Sequence, residues 1–439
     1  MRDILTAAET NPQAAPWSFS QVDCAIVHVT NACNLRCSYC STQAGTRGPS
    51  HIMPIRTFER VLESLCHESK RDAIALIFHG GEPLLAGLPW FKKAMRLLRK
   101  RIATTNTRFK LIVQTNGTLI GDAYARFFAD NGFTVGVSLD GPKAIHDSTR
   151  GGYDRVLKGL AAMKRCGTNH GLISVLSRPV VNNLPRVLEY FESQGEAHVQ
   201  FNYLHCSGRA HGNPRPTAEQ IFKAQRMILD HMLDFRKHVV IDSNTKRRVL
   251  GFAGLRPMTR SSSCHQRICS GGIEFVAVNA AGDIFPCGTG IEERFWLGST
   301  NGKRRQQRGP FFREFFADTS GRSCKTCKAA VICDQGCVAL ADDDPEYFQD
   351  TCKATKKLFA YMHANRSSVV ALARRLYAAQ QKKATKKIPR AKLLAMRKRI
   401  FSAMAQAHES CCSLLVADGR LQAMTGSGAP LLSFGADDF

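Results

Sequence analysis

The 439-residue sequence lacks the features of a protein that is embedded in a membrane or exported across one. No apolar run approaches the ~20 consecutive residues that a membrane-spanning helix needs. The start of the chain, MRDILTAAET, contains no hydrophobic core of the kind that a signal peptide carries. These absences predict a cytoplasmic protein without a membrane partner.

Acidic residues are missing from one long stretch near the C-terminus. Between Lys353 and Arg399 the chain has fifteen Lys or Arg and no Asp or Glu, although the net charge of the whole chain is only +25. Such a stretch could bind nucleic acid, an anionic membrane or an acidic peptide, or form a solvated helical extension without a specific partner. The aromatic residues that a single-strand binder needs are sparse there, so we do not expect a nucleic-acid partner. They are Phe359, Tyr361 and Tyr377.

Cysteine, by contrast, is abundant. The chain has 17 cysteines in a composition that is otherwise ordinary for a globular protein, with 44% hydrophobic and 22% charged residues. Its length allows one large domain and one or two smaller ones. Without export signals, so many cysteines indicate metal or redox chemistry in a reducing compartment rather than disulfides.

Three cysteines near the N-terminus form the most informative pattern. Cys33, Cys37 and Cys40 follow a C-x3-C-x2-C spacing, with Tyr39 just before the last of them. Three thiolates on one loop can hold three irons of a 4Fe–4S cluster and leave the fourth iron without a protein ligand. An open coordination position allows a metal site to act on a bound molecule. A zinc knuckle is the alternative interpretation.

The spacing resembles the signature of the radical S-adenosylmethionine (SAM) enzymes. The resemblance implies that the open iron binds the amino and carboxylate groups of SAM, and that Tyr39 lies beside its adenine. It also implies that one electron from the cluster splits SAM into methionine and a 5′-deoxyadenosyl radical, which removes a hydrogen atom from the substrate. The three cysteines would then be the catalytic centre.

Further motifs resemble those with which this family binds SAM. The sequence HGGEP follows the second predicted strand, and two adjacent glycines let the backbone approach a ligand closely. QTNG and SLDG end the third and fourth predicted strands, although Asn-Gly and Asp-Gly are also ordinary turn pairs. The SAM contacts that the resemblance implies are Gly80, Gly81 and Glu82 for the amino group, Asn116 and Ser138 for the ribose or carboxylate, and Arg150 near the site.

Residues 23–240 alternate short β-branched or aromatic runs with helical patterns, which is typical of βα units around a parallel sheet. Six units are too few for a closed eight-stranded barrel, and they suit the partial (β/α)6 TIM-like barrel that the resemblance implies. In such barrels the chemistry lies at the C-terminal ends of the strands, where the cysteine loop leaves the first strand. The predicted strands are 25–30, 73–79, 109–114, 133–138, 171–177 and 199–203, and the predicted helices lie near 56–69, 90–102, 121–130, 153–166, 182–193 and 217–237.

The rest of the chain divides by composition. A lead-in of residues 1–22 precedes the barrel, and a Lys/Arg/Ser-rich linker at 241–262 follows it. A cysteine-rich domain at 263–352 comes next, and then a basic helical extension with a mobile tail at 353–439. Within this extension we predict helices at 353–380 and 389–408 and a mobile segment at 424–430.

The cysteine-rich region reads Cys269-x12-Gly282-x4-Cys287, then Cys324-x2-Cys327-x5-Cys333-x3-Cys337, and then Cys352. This cysteine framework resembles a SPASM domain, an auxiliary iron–sulfur module that follows radical SAM barrels. The resemblance implies two auxiliary 4Fe–4S clusters, which would carry an electron away from the substrate. A pair of structural zinc sites is the alternative, because Cys-x2-Cys pairs are common zinc ligands. The implied ligands are Cys264, Cys269, Cys287 and Cys337 for the nearer cluster, and Cys324, Cys327, Cys333 and Cys352 for the farther one.

These motifs predict oxidative modification of a peptide or protein. We expect a maturase that crosslinks side chains of a ribosomally made precursor peptide through a carbon–carbon, ether or thioether bond. An electron donor such as flavodoxin or ferredoxin would supply the reducing electron. Because no separate leader-binding domain fits before the first predicted strand, an acidic leader peptide is the partner we expect for the basic stretch.

Three alternatives remain. The first is maturation of anaerobic sulfatases, in which Ser or Cys becomes formylglycine; the resemblance implies an aspartate base directly after the position of Cys287, where this chain has Gly288. Asp283 or Glu274 could substitute for that aspartate. The second alternative is RNA modification, and the third is a cluster-bearing scaffold without activity.

Overall fold

A ten-stranded sheet organises the computed structural model. Strands β1 to β7 run parallel and lie side by side in chain order. They are β1 (Cys24–Thr30), β2 (Ala73–Gly80), β3 (Arg108–Thr115), β4 (Thr134–Ser138), β5 (His170–Leu176), β6 (His198–Tyr203) and β7 (Ile241–Asp242). The structure describes residues 16–42, 44, 51–105, 107–196, 198–212, 214–234, 240–255, 270–288, 295–304, 326–333, 337, 341, 344–386, 413–417, 420–424 and 430–435.

Helices cover the outer face of the sheet, and all six predicted strands and helices are present close to their expected bounds. The first helix, Ile55–Glu68, shows why: Phe58, Val61, Leu62 and Leu65 recur at helical spacing and are buried against the strands. The helices of this part are α1 (Ile55–Glu68), α2 (Leu88–Ile102), α3 (Asp122–Asp130), α4 (Lys143–Thr149), α5 (Tyr153–Arg165), α6 (Arg178–Asn182), α7 (Leu184–Ser193), α8 (Ala218–Leu233) and α9 (Ser243–Phe252).

The first half of the predicted linker is regular structure instead. Strand β7 extends the sheet by pairing with the start of β6, and α9 follows it directly. The Asp242 side chain accepts a hydrogen bond from the backbone N–H of Thr245 at 2.7 Å and so caps this helix. The linker prediction is wrong for residues 241–252. Their Lys/Arg/Ser-rich composition suggested a linker, although Asp242 is a helix-capping residue and a helix follows it.

The sheet continues beyond β1 with three strands from the cysteine-rich region. Strand β8 (Phe275–Val278) pairs parallel with β1, and β9 (Asp283–Phe285) and β10 (Gly298–Ser299) follow antiparallel. The sheet therefore ends in β10 on one side and in β7 on the other. An open sheet of this kind confirms the partial barrel. The cysteine-rich region begins as part of the barrel sheet and not as a separate layer.

The basic stretch is not a solvated extension over the residues that the structure describes. Helix α10 (Pro345–Ala364) packs on α8, and α11 (Arg366–Lys386) packs on α9. Leu358 and Leu372 are among the residues by which the two helices join the main apolar core. Across the described ranges, no helix is long and apolar enough to span a bilayer.

The sequence analysis missed three strands near the C-terminus. Strands β11 (Ser413–Ala417), β12 (Arg420–Met424) and β13 (Pro430–Gly435) form an antiparallel sheet of their own. The predicted helix at 389–408 and residues 425–429 of the predicted mobile segment lie outside the described residues.

Candidate active site

The cysteine loop leaves the C-terminal end of β1 and is fixed from two sides. The backbone N–H of Ser38 donates to the carbonyl of Thr149, at the end of α4, at 2.8 Å. From the other side, the Arg209 guanidinium donates to the Cys37 carbonyl at 3.0 Å, and the Arg209 N–H donates to the Cys40 carbonyl at 2.9 Å. The loop therefore has a defined backbone between α4 and the short turn after β6.

The three thiols of this loop are partly buried and have few protein partners. The Leu35 N–H lies 3.5 Å from the sulfur of Cys33, and the Thr42 hydroxyl lies 3.5 Å from that of Cys40. Burial raises the pKa of the Cys33 thiol to about 11 and also raises the pKa of the Cys37 thiol. A bound metal would supply further positive charge and hold the thiols as thiolates.

The donor set of the loop suits an iron–sulfur cluster. Thiolates are the usual protein ligands of such clusters. Cys33, Cys37 and Cys40 lie together on one fixed loop and are partly buried, which fits three ligands of the cluster that the sequence predicts. A zinc knuckle stays the alternative interpretation.

The two glycines of HGGEP bring the end of β2 against the cysteine loop. The Gly81 N–H donates to the Thr30 carbonyl and the Glu82 N–H donates to the Ala32 carbonyl, both at 2.8 Å. A Cβ atom on Gly81 would lie 2.0 Å from the Ala32 oxygen. Gly80 has a φ of +126°, a region that other residues rarely adopt. Glycine is thus needed here for the loop to sit on the sheet.

The Glu82 carboxylate has a structural task that the sequence analysis did not predict. It is fully buried and accepts hydrogen bonds from the Leu84 N–H at 3.0 Å, the Thr115 hydroxyl at 2.7 Å and the Asn116 N–H at 2.8 Å. Burial raises the pKa of Glu82 to about 7, although these hydrogen bonds oppose that shift. The carboxylate ties the end of β2 to the end of β3, and its contact with the SAM amino group stays a prediction.

Asn116 and Ser138 lie at the ends of β3 and β4, as predicted. The Asn116 amide donates to the Asn34 side chain at 2.8 Å, and its oxygen accepts from the Thr118 N–H at 2.9 Å. Asn116 therefore holds the start of the cysteine loop in addition to any contact with SAM. The Ser138 hydroxyl accepts a hydrogen bond from the Gln114 amide at 3.2 Å.

A buried carboxylate that the sequence analysis read as part of a turn positions two predicted site residues. Asp140 accepts hydrogen bonds from the Tyr39 hydroxyl and, at 3.0 Å, from the Arg150 guanidinium. The Arg150 guanidinium also lies 5.0 Å from the centre of the Tyr39 ring. Burial alone would raise the pKa of Asp140, but the Arg150 charge and the hydrogen bonds hold it below its usual range. Asp140 thereby links the cysteine loop to Arg150.

Of the eight predicted auxiliary ligands, the structure describes five, all partly buried. Cys337 packs against a small apolar cluster that Tyr39 of the cysteine loop also contacts. Cys287 directly precedes Gly288, whose backbone approaches Ile26 and His28 of β1. Two ligands implied for the nearer cluster thus lie beside the barrel. The described five are Cys287, Cys327, Cys333, Cys337 and Cys352, whereas Cys264, Cys269 and Cys324 lie outside the described residues.

Comparison with known proteins agrees with this geometry. Residues 27–190 match the model of the radical SAM superfamily. A cysteine-type anaerobic sulfatase-maturating enzyme of Clostridium perfringens (strain ATCC 13124) is 26% identical over 363 residues, which cover 76% of this chain and 94% of the relative. A serine-type anaerobic sulfatase-maturating enzyme of Bacteroides thetaiotaomicron is 32% identical over 155 residues, which cover 33% of this chain and 37% of the relative.

Two solved structures share the fold. The first, anSMEcpe with bound AdoMet, superposes with a TM-score of 0.69 at 24% identity, over 81% of this chain and 97% of that one. The second, SuiB of Streptococcus suis bound to the precursor peptide SuiA, superposes with a TM-score of 0.54 at 14% identity, over 74% of both chains.

Proposed function

We propose that this chain is a radical SAM enzyme that forms an oxidative crosslink between side chains of a ribosomally made precursor peptide. Residues 27–190, which match the radical SAM superfamily, would use a 4Fe–4S cluster and SAM as the source of a 5′-deoxyadenosyl radical for hydrogen abstraction. We propose Cys33, Cys37 and Cys40 as the ligands of that cluster. Thr149 and Arg209 fix the loop backbone, and the Asp140–Arg150 pair fixes Tyr39 beside it.

A peptide substrate is supported by what is known of similar proteins. The C. perfringens relative is named for the maturation of sulfatases, and the SuiB structure holds the precursor peptide SuiA. Cys287 and Cys337 lie beside the barrel, which is where an auxiliary cluster would have to be in order to take an electron from the substrate. We propose these two cysteines, with Cys264 and Cys269, as the ligands of the nearer auxiliary cluster.

The observation that supports a crosslink over formylglycine formation is the glycine after Cys287, because the resemblance implies an aspartate base at that position. A Cβ atom at this position would lie 3.2 Å from Cδ1 of Ile26 and 3.3 Å from Nε2 of His28. A side chain after Cys287 would therefore require the ends of the Ile26 and His28 side chains to shift by a few tenths of an ångström.

The two substitute carboxylates are poorly suited to act as the missing base. Asp283 accepts hydrogen bonds from the Asn279 amide at 3.2 Å and the Trp296 indole at 3.3 Å. Glu274 forms an ion pair with Arg71 at 3.2 Å, and its carbonyl accepts a hydrogen bond from the Cys24 N–H, at the end of β1 opposite to the cysteine loop.

Sulfatase maturation remains the second candidate, because the relatives with that name match most of this chain. One experiment separates the two functions. The anaerobically reconstituted enzyme is given SAM, a reductant and either the peptide encoded by a short reading frame beside its gene or a cysteine-type sulfatase peptide. We expect the precursor peptide to lose two hydrogen atoms without yielding an aldehyde, as measured by tandem mass spectrometry with hydrazide trapping. Aldehyde formation on the sulfatase peptide, with an unchanged precursor, would reverse our ranking.

The exposed basic residues of α10 and α11 predict that precursor binding depends on salt. Lys353 and Lys356 are exposed on α10, and Arg374 is exposed on α11, which begins directly after Asn365. If they meet an acidic leader, exchanging all three for glutamate should weaken peptide binding about tenfold, because each exposed pair contributes up to about 1 kcal/mol. Raising the salt concentration should weaken binding in the same direction.

Fluorescence anisotropy of a labelled precursor measures this affinity. The matched control exchanges Lys92, Lys93 and Arg96 for glutamate, because these residues are exposed on α2 and the net charge changes equally. Equal affinities of the two triple variants, or an affinity that salt leaves unchanged, would exclude a leader site on α10 and α11.

A further inference from the structure

A histidine in the barrel interior has an unsatisfied nitrogen. On β1, Val27 and Val29 point to the helices and are fully buried, so the alternation of the strand turns His28 to the inner face. The His28 side chain is only 8% exposed, and its Nε2 has no hydrogen-bond partner among the described residues. A buried polar atom without a partner destabilises the fold, because it has lost its hydrogen bonds to water without replacement. Such an atom inside a candidate active site calls for a partner other than the described protein groups, such as water or a bound ligand.

A glycine from the cysteine-rich region lies against this nitrogen. Gly288 approaches β1 from the cysteine-rich region, and a Cβ atom there would lie 3.3 Å from Nε2 of His28. A side chain at position 288 would therefore compete with the imidazole and with anything that the imidazole binds. Because Gly288 has no side chain, none of its atoms beyond the backbone covers the imidazole from this side.

A second imidazole stands next to the first on the inner face. His79 pairs with His28 in the register of β1 and β2, and the ring centres are 5.5 Å apart. Nδ1 of His79 accepts a hydrogen bond from the Gly80 N–H at 2.7 Å, which leaves the ring proton on Nε2. Burial, together with His79, lowers the pKa of His28 to about 3, and burial also lowers the pKa of His79. Both rings are therefore neutral at physiological pH.

We propose that His28 is a substrate-contacting residue, whose Nε2 hydrogen-bonds a neutral polar side chain of the peptide segment that enters the barrel. The matching chemistry is a hydroxyl, thiol, phenol or indole N–H group, because two neutral imidazoles offer hydrogen bonds without a charge. His28 lies near the C-terminal end of β1, so the bound side chain is held close to the cysteine loop. This inference rests on the proposed function for its peptide, and it adds the selection of the side chain that reacts.

Two substitutions separate binding from space filling. His28→Phe keeps a ring of similar size but offers no hydrogen bond, whereas His28→Gln keeps a hydrogen-bonding group in a smaller side chain. If His28 binds substrate, His28→Phe should raise the KM for the peptide about tenfold, as expected for the loss of one hydrogen bond to a buried group. It should also lower the amount of product formed per 5′-deoxyadenosine released, and His28→Gln should restore part of both. His67→Phe is the control, because His67 is exposed at the end of α1.

The measurement uses whichever of the two peptides described above the wild-type enzyme modifies. If that peptide is the sulfatase peptide, the proposed crosslink fails while the role of His28 is still tested. If His28→Phe matches the wild type in KM and in product per 5′-deoxyadenosine, His28 only fills space and the inference is overturned. A His28→Gln variant that is worse than His28→Phe would overturn it as well.

Discussion

Replacement of Cys33, Cys37 or Cys40 by alanine is expected to reduce the formation of 5′-deoxyadenosine from SAM to background. Each thiol sits on a loop whose backbone is fixed at Ser38 and at the carbonyls of Cys37 and Cys40, so the loop cannot readily bring in another ligand. A cluster that loses one of its three protein ligands either fails to assemble or has a second iron without a protein ligand, so it no longer offers one defined site for SAM. The measurement is chromatography of the reduced, anaerobically reconstituted protein with SAM, together with EPR spectra recorded with and without SAM.

The control for this prediction is another cysteine of similar burial. Cys66 lies on α1, where its sulfur accepts a hydrogen bond from the Thr105 hydroxyl at 3.9 Å, away from the cysteine loop. We expect Cys66→Ala to cleave SAM like the wild type. Because auxiliary clusters would contribute EPR signals of their own, only the part of the spectrum that changes on adding SAM is informative. A SAM-responsive spectrum in a variant that lacks any one of Cys33, Cys37 and Cys40 would contradict their assignment as cluster ligands.

The six βα units of the barrel could be predicted from sequence because each strand carries its own pattern. On β2, Ile74, Leu76 and Phe78 are buried against the helices while the residues between them are partly exposed on the inner face. Strands β7 and β10 have two residues each, too few for a pattern. All four residues of β8 are buried, so no alternation marks that strand.

Sequence analysis did not predict that α10 and α11 pack on the barrel, because the stretch is so rich in basic residues. Fifteen basic residues without an acidic one suggest a free extension, yet Leu358, Met362, Leu372 and Leu376 face the core. Their partners are α8 and α9, which occur much earlier in the chain. An apolar stripe diluted by lysine and arginine predicts a helix, but it does not predict which surface the helix covers.

In the candidate site, too, contiguous motifs could be predicted from the sequence, whereas contacts between distant residues could not. The cysteine spacing and HGGEP are contiguous, and sequence analysis found both. Arg209 contacts the Cys37 carbonyl across 172 residues of sequence, and no local pattern indicates that contact. Sequence analysis assigned Asp140 to a turn because it forms an Asp-Gly pair. Its burial and its hydrogen bonds to Tyr39 and Arg150 arise only when β4 and α4 pack against the cysteine loop, so they could not be predicted from the local sequence.

The close approach of HGGEP to the cysteine loop leads to the second large expected effect. Gly81→Ala should lower the rate of SAM cleavage by about a hundredfold or more, because a displacement of about 1 Å in a reacting centre can have that effect. The new Cβ would lie 2.0 Å from the Ala32 oxygen and 2.9 Å from the Asn31 oxygen, both backbone atoms. Neither oxygen can move away unless the backbone of Asn31 and Ala32, directly before Cys33, also moves. The Ala32 carbonyl is held in place because it accepts a hydrogen bond from the Glu82 N–H at 2.8 Å.

The matched control is Gly121→Ala, in front of α3. Gly121 has an ordinary φ of −119°, and a Cβ there would meet no atom within 4 Å. Because Gly81 follows the last residue of β2, we expect both variants to keep the barrel, as measured by circular dichroism and thermal denaturation. Only Gly81→Ala should lose cleavage of SAM and the SAM-induced change in the EPR spectrum. If Gly81→Ala cleaves SAM as fast as Gly121→Ala, the glycine pair does not govern the position of the cysteine loop, and direct contact with SAM would have to explain the motif.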